Sequence, residues 1–250
     1  MFQHCIHAMV ALVIWSGVAG STVAVADDLQ PWKLIDENGG IKVYRRDMPG
    51  TNLYEFRGVA LVEARVPKIV ALLGDAKKLP DWVYGCLKGE LLEKNFDDLD
   101  LAQDPSDHFE IFYGENWAPW PLQNRDYIIK SSVRFVPATA HQALSVRVTS
   151  QNMDYPSRPK TEGLTRLPLM RIVINLVPVG DNLDLTEIDF RIVMDPGGVI
   201  PDAIINLVSR ELPRRSLEAL GDLVKTEDYN RNLERLVQHH YSRQLLLLSH

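Results

Sequence analysis

From residue 109 to residue 194 the chain alternates repeatedly between apolar and polar residues, and at 201–224 that period gives way to one long helical stripe. Tyr127, Ile129, Ser131, Val133 and Phe135 share one strand face, with Lys130, Ser132 and Arg134 on the other. Leu144, Val146 and Val148 repeat the pattern against Ser145, Arg147 and Thr149. So do Met170, Ile172, Ile174 and Leu176, then Thr186, Ile188, Phe190 and Ile192. Phe109, Ile111 and Tyr113 alternate with His108 and Glu110. The helical stripe holds Ile204, Ile205, Val208, Leu212, Leu217, Leu220 and Val224, and Pro213 predicts a kink in it. Antiparallel hairpins followed by a single long helix make an α+β fold, a curved antiparallel sheet wrapped around its C-terminal helix. One helix does not fill a sheet of this span, which leaves an internal apolar cavity; a small-molecule ligand calls for about 300–1,000 Å³.

The first half is more mixed. Residues 29–36 read as a short helix ended by Asn38, Gly39 and Gly40. Strands are expected at 41–46 and 53–62, joined by Met48, Pro49 and Gly50 into a hairpin. Residues 67–73 suit a helix led by Pro67, and 79–84 a helical turn carrying Trp82. A weak strand at 90–94 precedes an acidic loop at 97–107. Residues 154–167 read as a loop, and 179–182 as a hairpin turn. Residues 225–250 are a tail or an extra helix, with 245–248 packing back. There is no internal repeat and no low-complexity linker, so 29–224 reads as one domain.

Residues 1–26 contain no Asp, Glu, Lys or Arg, and end in Ala24, Val25 and Ala26. This is the pattern of a secretory signal peptide cleaved after Ala26, which implies a periplasmic or secreted protein. His4 and His7 stand where Lys or Arg is usual, and an uncleaved anchor is the alternative, although the apolar core is short for a span of about 20 residues. Cleavage removes Cys5 and leaves Cys86, so neither an internal disulfide nor a cysteine metal site is available. The formal charge of −6 speaks against nucleic acid as a partner, and no basic block marks an anionic membrane surface.

The stretch Trp117-Ala-Pro-Trp-Pro-Leu-Gln-Asn-Arg-Asp-Tyr127 launches the first of the regular strands. Trp120-Pro121 with Arg125-Asp126-Tyr127, Gly40-Ile-Lys-Val-Tyr44, the Trp82 region after its Pro-led helix, and Asp195-Pro-Gly-Gly198 leading to Ile200-Pro201 occur in the order and spacing of a known family. Over about residues 32–224 the chain resembles the START domain, the StAR-related lipid transfer family. The resemblance implies a helix-grip fold whose C-terminal helix covers a tunnel for one lipid. It also implies lipid transfer. Transient membrane contact and no cofactor are expected, and no pair of His at i,i+4 beside a carboxylate marks a metal site.

The residues expected to touch the ligand are Trp82, Tyr113, Trp117, Tyr127, Ile129, Ser131, Val133, Ile172, Ile174, Phe190 and Ile205. Trp117 and Trp120 read either as a cavity rim or as core plugs at a turn. Arg125 and Asp126 read as a structural ion pair or turn cap, with headgroup contact the lesser alternative. Ser131 is the polar member of an apolar face, suited to a lipid hydroxyl or to backbone. Some sterol-binding relatives hold charge inside the tunnel. The faces assigned above carry none, unless a slip in strand parity admits Glu110 or Arg147, and this speaks against a sterol. Enzyme readings find no G-x-S-x-G, H-E-x-x-H, G-x-G-x-x-G or Walker sequence. An enzyme acting on an apolar small molecule in the same cavity is the alternative, and a scaffold binding a partner protein the third reading. Gly197 and Gly198 supply hinge freedom, so the connection into the last helix is the expected gate.

Overall fold

The structure, a computed structural model, describes residues 30–97, 107–138, 143–180, 183–198, 200, 202–226 and 228–247, and for 202–210 the helix alone. The signal-peptide reading of 1–26 lies outside the described residues, as does most of the acidic loop. Two N-terminal strands, β1 (Lys33–Asn38) and β2 (Ile41–Asp47), lead to β3 (Tyr54–Val62), then α1 (Val66–Leu73) and the single turn α2 (Leu79–Trp82). After β4 (Cys86–Lys94) come β5 (Phe109–Asn116), β6 (Asn124–Val136), β7 (Ser145–Asn152) and the short β8 (Leu164–Arg166). The chain then runs through β9 (Leu169–Val179) and β10 (Leu185–Asp195) into α3 (Asp202–Leu223) and α4 (Arg231–Leu247).

Among the described residues the strands form one ten-stranded sheet in the order β1-β2-β3-β10-β9-β7-β6-β5-β4, antiparallel throughout except for β8, which runs parallel to β6. The β3–β10 pairing joins the N-terminal hairpin to the C-terminal one, with Phe56 opposite Ile192 and Gly58 opposite Phe190. From the alternating faces, Val43, Phe56, Ala60, Val146, Val148, Ile174, Leu176, Ile188 and Phe190 are buried in one core. Full burial of each such side chain is worth about 1.5–3 kcal/mol, so the core supplies the fold's main drive.

α3 lies across this inner face and meets it closely at Gly58. A Cβ there would sit 2.7 Å from Leu217 Cδ1 and 3.1 Å from Pro213 Cβ, so only a residue without a side chain lets the helix approach. The helix runs through Pro213 from Asp202 to Leu223. Tyr84 N–H donates to Ser216 Oγ at 3.0 Å and ties α2 to it.

Several expectations change. Residues 33–38 form a strand where a helix was expected, because Gly39 and Gly40 both take positive φ (57° and 78°) and turn the chain straight back onto β2. Trp32 packs outside the sheet, 4.3 Å from the Arg46 guanidinium and within 6 Å of those of Arg57 and Arg191. There Asp189 accepts from Arg57 at 3.0 Å and from Arg191 at 2.7 Å. Burial pushes the Asp189 carboxyl up, but these hydrogen bonds outweigh it and hold its pKa below the usual value. The 154–167 loop contains β8. Residues 225–247 hold a full helix, α4, in which Leu233, Leu236, Val237, His240 and Tyr241 are buried. Leu246 and Leu247 are exposed.

Candidate ligand-binding cavity

Between the inner sheet face and the helices lies a cavity whose walls can be followed row by row across the strands. In the middle row Glu110 on β5 stands opposite Ser131 on β6, Ser131 opposite Ser150 on β7, Ser150 opposite Ile172 on β9, and Ile172 opposite Ile192 on β10. The Ser131 and Ser150 hydroxyls bond each other at 2.6 Å. The next row holds Val133, Val148, Ile174 and Phe190. On the other side stand Phe112, Ile129 and Met170. Trp82 and Leu212 close the cavity from α2 and α3; Leu233, Leu236 and Val237 close it from α4. No Lys or Arg lines it among the described residues. The volume open to the centre of a water molecule is about 90 Å³, below what a lipid-sized ligand takes. Such a ligand enters only as these side chains move apart.

Of the residues singled out from sequence, Trp82, Tyr127, Ile129, Ser131, Val133, Ile172, Ile174 and Phe190 come together on this cavity. Tyr113 does not. It lies on the outer face with Ile111 and Ile128, against Met153 and Tyr155, where its hydroxyl donates to Glu115 at 2.7 Å and the Arg158 guanidinium covers its ring at 3.7 Å. β5 is apolar on both faces because the 153–158 segment covers its outside, so alternation alone does not say which face points in. The parity is the reverse of that expected: His108, Glu110, Phe112 and Asn116 line the cavity, and the argument against a sterol from an uncharged tunnel therefore falls. Ile205 lies on α3, and its side chain is outside the described residues.

Trp117 lines a separate pocket with Tyr84, Pro119, Leu122, Pro196 and Ile200, which shares Asn116 and Leu212 with the main cavity. Trp117 is half exposed and Trp120 is 91% exposed, so neither is a core plug. Arg125 and Asp126 are both buried and serve different partners. The Arg125 guanidinium donates to the carbonyls of Gln123, Pro196 and Gly197, which pins the connection into α3 against the start of β6. Asp126 is fully buried and accepts two 2.9 Å bonds from Arg166 on β8. Cys86 lies beside Tyr127; burial pushes its thiol up to about 11 and the Tyr127 phenol higher still.

Sequence reasoning missed Glu110, Phe112 and Asn116 through that parity, and missed the α4 residues although Leu233, Leu236 and Val237 recur at the three-and-four spacing of a helix face.

No family model matches the chain. It is 29% identical over 204 residues to an uncharacterised protein of Pseudomonas aeruginosa, across 82% of this chain and 89% of that one. It is 28% identical over 183 residues to the phosphatidylcholine transfer protein of Rattus norvegicus, across 72% of this chain and 77% of the relative. The crystal structure of a STAR-related lipid transfer protein fragment from Xanthomonas axonopodis superposes with a TM-score of 0.63 at 28% identity, covering 78% of this chain and 99% of that one. In sequence and in fold the chain is similar to the START family, the StAR-related lipid transfer proteins.

Proposed function

We propose that the protein binds a lipid in the cavity beneath α3 and carries it between membranes. The observation that carries this reading is the cavity itself: an apolar space enclosed by the inner sheet face, α2, α3 and α4. Two of the similar proteins are named for lipid transfer, one of them for phosphatidylcholine.

Exposed Trp117 and Trp120 beside the second pocket suit a loop that touches the membrane while the connection at Pro196–Gly198 opens. We read residues 1–26 as a signal peptide that directs the protein to the periplasm or outside the cell; N-terminal sequencing of the mature protein checks this at Ala26. Native mass spectrometry of the purified protein tests the main reading. A bound lipid released on denaturation is expected, and a protein that neither retains lipid nor accepts it from vesicles overturns the proposal.

A further inference from the structure

Two buried polar atoms on the cavity wall have no hydrogen-bond partner among the described residues: Trp82 Nε1 and Asn116 Oδ1. Nearly all other polar groups at this end are committed. Arg125 spends its donors on backbone carbonyls, the Ser131 and Ser150 hydroxyls satisfy each other, and Ala118 N–H donates to Asn124 Oδ1. Trp82 is 8% exposed, so its N–H is not simply turned to bulk water. An unmet buried donor or acceptor is costly, and the two here are of opposite kind. They also sit close along the fold: Trp82 ends α2, four residues before Cys86, and Cys86 is the strand partner of Asn116. Asn116 stands where the main cavity meets the pocket under Trp117.

Resting on the lipid-binding reading, we propose that Trp82 and Asn116 form the subsite for the ligand's polar group, and that this group is an uncharged hydroxyl or N–H amide. Such a group accepts from the indole N–H and donates to the side-chain carbonyl at once. A carboxylate or phosphate satisfies the indole alone, faces the Asn116 oxygen without a proton to give, and finds no Lys or Arg on the cavity wall among the described residues. The apolar part of the ligand then extends past Phe112 and Ile129 toward α4.

The test uses hexadecanol, its methyl ether and palmitate as competitors for a neutral fluorescent reporter, N-phenylnaphthylamine, bound to the full chain. The wild type is expected to prefer the alcohol over the ether by about three- to tenfold, the worth of one hydrogen bond, and to bind palmitate weakest. Asn116→Leu removes the preference for alcohol over ether, since only the alcohol has a proton to donate. Trp82→Phe weakens alcohol and ether alike and leaves their ratio unchanged. Asn116→Ala repeats the first result if the leucine variant folds poorly, as circular dichroism would report. An alcohol-to-ether ratio that Asn116→Leu and Asn116→Ala leave unchanged overturns the subsite, and so does palmitate binding as tightly as the alcohol. Displacement by none of the three competitors overturns the lipid-binding reading itself.

Discussion

The two ends of the cavity are closed by different physics. At the Trp117 end the closing elements are pinned by directional bonds: Arg125 to the Pro196 and Gly197 carbonyls, Asp126 to Arg166, Tyr84 to Ser216. At the other end α4 closes the wall chiefly with Leu233, Leu236 and Val237, and its polar ties include the Asn230 cap, the Tyr241 hydroxyl on the Leu144 carbonyl, and Lys78 with Asp228 just before the helix. Hydrogen bonds hold one geometry or another and break as discrete events, whereas apolar packing yields gradually with volume. The pinned end is therefore suited to open as a gate, and the packed end to set the cavity's shape.

The largest effect is expected at the pinned end. Arg166→Ala leaves the fully buried Asp126 carboxylate without its bidentate partner, and breaking such a pair costs about 3–5 kcal/mol, read as a lower urea midpoint. A loss under about 1 kcal/mol would mean that this end is held by something else. At the packed end Leu236→Ala is expected to cost about 3 kcal/mol through lost burial and the cavity it leaves. It should also broaden the range of ligands accepted, while Arg166→Ala should not.

Cys86 reports on the pinned end without disturbing it. With its thiol held at about 11, less of it is thiolate at any lower pH, and the rate rises with pH toward that value. Alkylation at pH 8 should run about two orders of magnitude slower than for an ordinary thiol of pKa about 8.5. A native rate equal to the unfolded rate would place that end open. Smallest is Tyr241→Phe, which deletes the bond to the Leu144 carbonyl but none of the cavity wall. It should cost about 1 kcal/mol in stability and leave ligand preference unchanged.

Much of the fold was legible because one face of most strands is buried and the other is not. β6, β7, β9 and β10 carry that contrast in their residues, and the structure pairs them in the expected antiparallel succession. β5 lacks the contrast. Ile111 and Tyr113 pack outside while Phe112 packs inside, so Tyr113 was placed in the cavity and Asn116 was left out of it. β1 lacked it for another reason: Leu34 is exposed, and Trp32 just before the strand answers to arginines that arrive from β2, β3 and β10.

The alternating strands, the long helix that follows them, the turn at Trp117 and the family they resemble can all be read along the chain. These rest on local period and on turn residues, and both are written along the chain. Which face of β5 is the inside, that Arg125 holds the entry to α3, that Asp126 answers to Arg166, and that α4 completes the wall emerge only in the folded molecule. Each of these depends on a partner distant in sequence, and a period says how residues are spaced, not what they will meet.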